Sequence, residues 1–320
     1  MSAQTAGRPS RIREANGGIP RRRRGGRPVW QERPSPVAQF GKTTVISLVL
    51  LAILGPLYAI VLTSFSTESA VVKAGGGLVV VPDGLTLQAY REILSNGVVT
   101  RALMLSFAIT GVGTAISMVI SILCAYGLSR PNTLGHRKIL MFIIITMFFS
   151  GGLIPGFLVV SNLGGYDQYW ALILPSAVGV FNIIIMRAVY QNTATELMDA
   201  ARIDGAGDWR ILWSIVLPTT KAVTAVMSLF YAVGYWGNWF GVMLYLGNDS
   251  TKWPLAYILY QYVDLGAAMP GAAAAAGHTV AAPVAMSMAV VVLTLLPVVL
   301  VYPFVQKHFT KGMLTGAIKG

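Results

Sequence analysis

Long runs without a single charge decide what this chain can fold into. They lie between Lys42 and Glu68, Arg101 and Arg130, Lys138 and Asp167, Asp167 and Arg187, and Lys221 and Asp249. A sixth extends from about Val280 to Val305. A helix needs about 20 apolar residues to cross the hydrocarbon core, and a helix satisfies its backbone polar groups within the segment. The chain is 55% apolar and only 11% charged, where a soluble domain carries about 25% charged residues. These features predict an all-α, polytopic membrane protein. Its six transmembrane helices are expected at about 43–66, 102–129, 139–161, 168–187, 222–246 and 280–305. The apolar piece from Trp253 to Val263 is too short to cross and reads as re-entrant or interfacial.

The net charge of +12 could suggest nucleic acid, but its location argues otherwise: Met1 to Lys42 holds ten of the 24 Lys and Arg. Residues 1–40 alternate arginine with Gly and Pro, have few apolar residues, and read as a disordered basic tail. Anchoring against anionic membrane lipid is a better use for it than nucleic-acid binding. The transmembrane domain then occupies 41–320. With the N-terminus inside, Met1–Lys42, Ser129–Lys138, Arg187–Lys221 and Gln306–Gly320 together hold 20 Lys and Arg. The opposite side holds four, Lys73, Arg91, Arg101 and Lys252. Basic residues accumulate in cytoplasmic loops, so both termini are expected in the cytoplasm.

Candidate chemistry is sparse. Cys124 is the only cysteine, and His136, His278 and His308 show no ligand spacing; neither a metal site nor a catalytic residue is expected. Gly41-Lys42-Thr43 resembles the end of a phosphate-binding loop, but position 36 is Pro and the segment opens a span. Phe149-Ser150-Gly151-Gly152-Leu153 sits in an apolar segment and is not read as a nucleotide site either. Span interiors lack Asp and Glu, which counts against an ion-coupled carrier. Gly152 and Gly156 make a small-residue pair of low specificity for helix packing.

The stretch from Thr193 to Pro218 is different. It holds Glu196, Asp199, Asp204 and Asp208 between two apolar segments. Thr193 and Glu196 read as a capping box that starts a helix running to about Ile203. Gly205 and Gly207 supply a turn. Asp208 is expected to cap a second helix, with Trp209, Leu212, Trp213 and Val216 on one face and Pro218 at its end.

Asp199-Ala200-Ala201, Gly205 and Ile215-x-Leu217-Pro218 keep the offsets of the E-A-A-x3-G-x9-I-x-L-P signature. That signature marks permease subunits of binding-protein-dependent ABC importers. Asp199 departs from it, standing where the family usually has Glu. Phe149–Pro155, Trp170–Pro175, Tyr231–Phe240 and the ending Tyr302–Gly312 with Gly316–Gly320 extend the likeness. The chain resembles carbohydrate permeases of the maltose-transporter type, in their oligosaccharide branch. The basic tail and the Ala/Gly-rich Gly266–Gly277, read as an outer loop, lie outside the resemblance.

The resemblance implies a non-catalytic half-pore in a bacterial cytoplasmic membrane, paired with a homologous but non-identical permease. It also implies an ATPase dimer that binds the ATP, and an extracytoplasmic solute-binding protein. Glu196, Asp199, Ala200, Ala201, Asp204, Gly205, Ile215, Leu217 and Pro218 would form the ATPase-coupling loop within 193–218. No motif fixes the sugar contacts. Sugars favour aromatic faces and amides, which Asn182, Tyr231, Tyr235, Trp236, Asn238 and Trp239 supply; an interfacial belt or helix packing would use the same residues. A permease for another solute, an ion-coupled carrier and a membrane scaffold are the competing readings.

Overall fold

The computed structural model describes residues 35–95, 97–130, 135–149, 151–192, 195–247, 249–264 and 283–317. Expectations for most of the basic tail, for Thr193 and for Gly266–Gly277 lie outside the described residues. Apart from one isolated antiparallel bridge, Ser66 with Leu85, the regular structure among the described residues is helical. In chain order the helices begin with α1 Pro36–Ser64, α2 Glu68–Lys73, α3 Gln88–Ser95, α4 Val98–Ser129, α5 His136–Phe148, α6 Leu153–Asn162, α7 Trp170–Ile173 and α8 Val180–Asn192. They continue as α9 Thr195–Ile203, α10 Asp208–Ile211, α11 Leu217–Thr219, α12 Lys221–Trp236, α13 Trp239–Tyr245, α14 Leu255–Leu259 and α15 Pro283–Ala317.

Three helices, α1, α4 and the first part of α15, are each long and apolar enough to cross a membrane unbroken. The remaining expected spans are not single rods. The third divides into α5 and α6, bent by 114°. Gly152, at φ +87°, stands just before α6 in a conformation that glycine adopts without steric cost. This revises the packing expected of Gly152 and Gly156. Gly152 lies outside the helix, and among the described residues nothing beyond Gly156's own stretch of helix stands within 4 Å of a Cβ placed there. The fourth span divides into α7, extended by a 3₁₀ turn at Leu174–Ser176, and α8, bent by 48°. The fifth stops at Trp236, turns at Gly237 and Asn238, and resumes as α13. The sixth keeps helical geometry through Pro297 and Pro303 to Ala317, past the expected end at 305.

Two compact units divide within α1, at residues 53 and 54. The described residues of the first unit are all exposed, among them Val45, Leu48 and Leu51. That is ordinary for a segment whose solvent is lipid. In the second unit α4 packs against α8 and α12, and α12 against α15. One core gathers Ala125, Ile183, Met186, Ile211, Leu212 and Met227. Another gathers Val71, Ala89, Ala102, Leu255, Ile258 and Ala289. The short apolar piece read as re-entrant or interfacial packs into the bundle: Leu255 and Ile258 are fully buried. The buried start of α14 needs an acceptor for its free N–H groups, and the Ser106 hydroxyl accepts from the Leu255 amide at 2.8 Å.

Candidate functional site: a coupling element and a hydroxyl-lined core

The first arm of the acidic stretch, α9, ends in a Schellman turn. The Gly205 amide donates to the Arg202 carbonyl at 3.0 Å and the Ala206 amide to the Ala201 carbonyl at 2.9 Å. Gly205 holds φ +80°, the left-handed conformation this turn requires. Gly207 does not share that role, since its backbone is extended. Met198, Ala201 and Ala206 pack against the core, while Asp199, Ala200 and Asp204 are exposed. Asp199 pairs with Arg202 one turn on, at 2.9 Å. Only the backbone of Glu196 is described, so the capping box stays an expectation.

The second arm differs from the expectation in three respects. Asp208 is the first helical residue and Gly207 the cap. The Asp208 carboxylate reaches Arg130 at 3.0 Å instead of bonding its own helix; a charged partner gives the stronger hydrogen bond, and the carboxylate still lies at the positive helix end. The apolar face also splits. Ile211, Leu212 and Val216 are buried, whereas Trp209 is 65% and Trp213 64% exposed. Finally, Pro218 does not end the helix, which continues to Thr219. Ahead of it, Leu212–Val216 widens into a π turn in which the Leu217 amide donates to the Leu212 carbonyl. Proline lacks an N–H and crowds the carbonyl four residues back, and a widened turn relieves both constraints. The arm then meets α12 at 85°, where the Thr220 hydroxyl donates to the Val216 carbonyl at 2.7 Å. Ile215 and Leu217 are half-buried, and Pro218 is exposed.

Trp209, Trp213 and Ile203, the last 87% exposed, leave the element with a large apolar outer surface beside Asp199 and Asp204. The inner side is gripped by α4. The Tyr126 hydroxyl donates to the Asp208 carbonyl at 3.0 Å, and Arg130 lies 4.4 Å from the centre of the Tyr126 ring. Sequence reasoning missed both residues. Arg130 counted only as one more basic residue after a span.

The six expected sugar contacts separate. Tyr231 and Tyr235 are buried, and each hydroxyl links helices. The Tyr231 hydroxyl accepts from the Gly179 amide at 2.9 Å and meets the Ser121 hydroxyl at 2.7 Å. Tyr235 donates to the Ile173 carbonyl at 3.0 Å and meets Ser117 at 2.8 Å. Ser117 and Ser121 lie one turn apart on α4, as Tyr231 and Tyr235 do on α12. Both rungs end at the break between α7 and α8, where helical bonding lapses and backbone groups need other partners. Trp236 is buried and donates from its indole nitrogen to the Thr294 carbonyl at 2.9 Å. Asn182 is buried near the start of α8. Asn238 caps α13, accepting from the Gly241 amide at 3.0 Å. Trp239 is part-exposed and stacks on Tyr260 at 4.4 Å, next to Tyr257 and Trp253. The sequence reading did not join this aromatic row, because Trp239 lies on α13, away from the stretch that carries Trp253, Tyr257 and Tyr260.

Broken apolar helices around a hydroxyl-bonded core, together with a helical hairpin, make a polytopic membrane fold. The chain belongs to the binding-protein-dependent transport system inner membrane component family, whose model matches residues 102–315. It is 44% identical over 266 residues to the Bacillus subtilis polygalacturonan/rhamnogalacturonan transport system permease protein YtcP, covering 83% of this chain and 92% of the relative. It is 40% identical over 265 residues to protein LplC of the same organism, covering 83% and 89%. Among solved structures, a chain of a bacterial ABC transporter involved in the import of the acidic polysaccharide alginate superposes with a TM-score of 0.80 at 28% identity. That match covers 88% of this chain and 99% of the other.

Proposed function

We propose that this chain is one membrane subunit of an ATP-driven importer that takes up a carbohydrate, an oligosaccharide, delivered by a solute-binding protein. The observation that carries the reading is the likeness along most of the chain to a permease named for polygalacturonan and rhamnogalacturonan transport. The alginate importer supports the same class of cargo.

In this reading the chain pairs with a second, non-identical permease, and ATP is bound and hydrolysed by separate ATPase subunits. Both termini and the α9–α11 hairpin face the cytoplasm. The exposed Trp209, Trp213 and Ile203 surface, with Asp199 and Asp204 beside it, docks on the ATPase. The buried inner face, Ile211, Leu212 and Val216, ties that docking surface to the bundle. Closure of the ATPases then displaces α4 and α12 and turns the path from inward- to outward-facing. Of the side chains considered for the sugar path, Trp239 and Asn238 remain the more accessible, whereas the buried tyrosines hold the broken span.

The test is purification of the tagged chain with its associated subunits, reconstitution in liposomes, and uptake assays with oligogalacturonate and with maltodextrin. ATP-dependent uptake of either supports the proposal. Uptake without an associated ATPase, or of neither sugar by a complex that transports another solute, overturns it.

A further inference from the structure

The cytoplasmic end of α4 is held by two arginines from different directions. Arg187 of α8 donates to the Leu128 carbonyl at 2.8 Å, which fastens the last turn of α4 to the bundle. Arg130, the residue after that turn, reaches the hairpin instead. Its side chain is only 19% exposed, and it lies over Tyr126 while pairing with Asp208, whose own side chain is 70% exposed. The guanidinium also bonds the Tyr126 hydroxyl, which itself donates to the Asp208 carbonyl. Exposed ion pairs contribute about 0–1 kcal/mol and tolerate movement. A planar guanidinium held against a ring and a carboxylate has far less freedom.

From this geometry we propose that Arg130 is a positioning residue, which with Tyr126 and Asp208 transmits displacement of the hairpin into α4. The proposal rests on the hairpin being the ATPase-coupling element. The first turn of α10 cannot shift along its axis without carrying Asp208, and Asp208 cannot move without dragging or releasing Arg130. Leu212, buried one turn further along, lines the same cleft from the apolar side, opposite Leu123. Burial lowers the pKa of Arg130, Asp208 opposes that shift and the nearby Arg202 adds to it. Arginine nonetheless stays charged throughout the physiological range. The contact therefore does not depend on protonation of the arginine.

The experiment uses the co-purified complex in liposomes and whichever of oligogalacturonate or maltodextrin the wild type takes up. Arg130→Gln should retain the ATPase in pull-down while sugar taken up per ATP hydrolysed falls at least tenfold. Arg130→Lys, which keeps the charge but not the planar fork, should be intermediate. Exchanging the pair, Arg130→Asp with Asp208→Arg, should restore at least a third of the wild-type ratio, a rescue that general loss of structure would not show. A wild-type ratio in Arg130→Gln overturns the proposal. So does a low ratio that neither Lys nor the exchange improves. If instead variants on the docking surface leave ATPase retention unchanged, the coupling reading itself fails, independently of Arg130.

Discussion

At Gly205, backbone geometry alone sets the requirement for glycine. Among the described residues nothing beyond its chain neighbours lies within 4 Å of where its Cβ would stand. The φ of +80° is the obstacle, and a β-branched residue there costs on the order of 1–2 kcal/mol. Gly205→Val is expected to insert normally yet retain several-fold less ATPase in pull-down, because the strain falls on the hairpin turn. Asp199→Lys should act through charge: it removes the partner of Arg202 and puts a second cation beside it. Asp199→Glu, which keeps the charge, should retain the ATPase at wild-type level. Wild-type retention in both Gly205→Val and Asp199→Lys would remove the docking role from the hairpin.

Among the elements, the broken span α7–α8 shows how backbone polar groups are satisfied inside an apolar bundle. Tyr231 and Tyr235 supply hydroxyls to Gly179 and Ile173 at the break, and serines on α4 complete each pair. Replacing either tyrosine by Phe removes both bonds of that rung and leaves a backbone group unpaired. The expected cost is about 1 kcal/mol each, measured as a lowered unfolding temperature in detergent. Gly179→Val should cost more, since a Cβ there would come within 2.5 Å of the Tyr231 hydroxyl. At α13, Asn238→Ala confuses two effects, because the same amide oxygen caps the helix. Asn238→Asp keeps the capping oxygen and should unfold like the wild type. If Asn238 also donates to sugar, uptake by Asn238→Asp should fall several-fold; unchanged uptake would leave the residue only its capping role.

For the whole molecule, the proposed orientation rests on charge. With 20 basic residues assigned to one side and four to the other, maleimide added outside intact cells should label a cysteine at Gly76 but not one at Gly135 or Gly205. Cys124, the free native cysteine, is first replaced by Ala. Labelling at Gly205 from outside would reverse the topology and take the hairpin away from any cytoplasmic ATPase. Deleting Ser2–Arg27 should leave uptake by the assembled complex within about twofold of wild type, because positive-inside anchoring is shared among several loops.

The uncharged runs, the asymmetry of Lys and Arg, and the spacing from Asp199 to Pro218 were legible without coordinates. Each is local in the chain, and each reflects a one-dimensional constraint: the thickness of a bilayer, the sidedness of charge, the geometry of a turn. The left-handed Gly205 belongs with them, because a Schellman turn is built from neighbouring residues. Partners distant in sequence were not legible. Asp208 had the spacing of a helix cap, but Arg130 at the end of α4 claims its carboxylate. Trp209 and Val216 had the spacing of one apolar face, but the π turn and the packing of α4 divide them between surface and core. Tyr231 and Tyr235 looked free to meet sugar until the break at Ile173–Gly179 was brought against them. Hydrogen-bonding groups commit to whichever partner tertiary packing brings within about 3 Å, and the order of residues along the chain does not contain that distance.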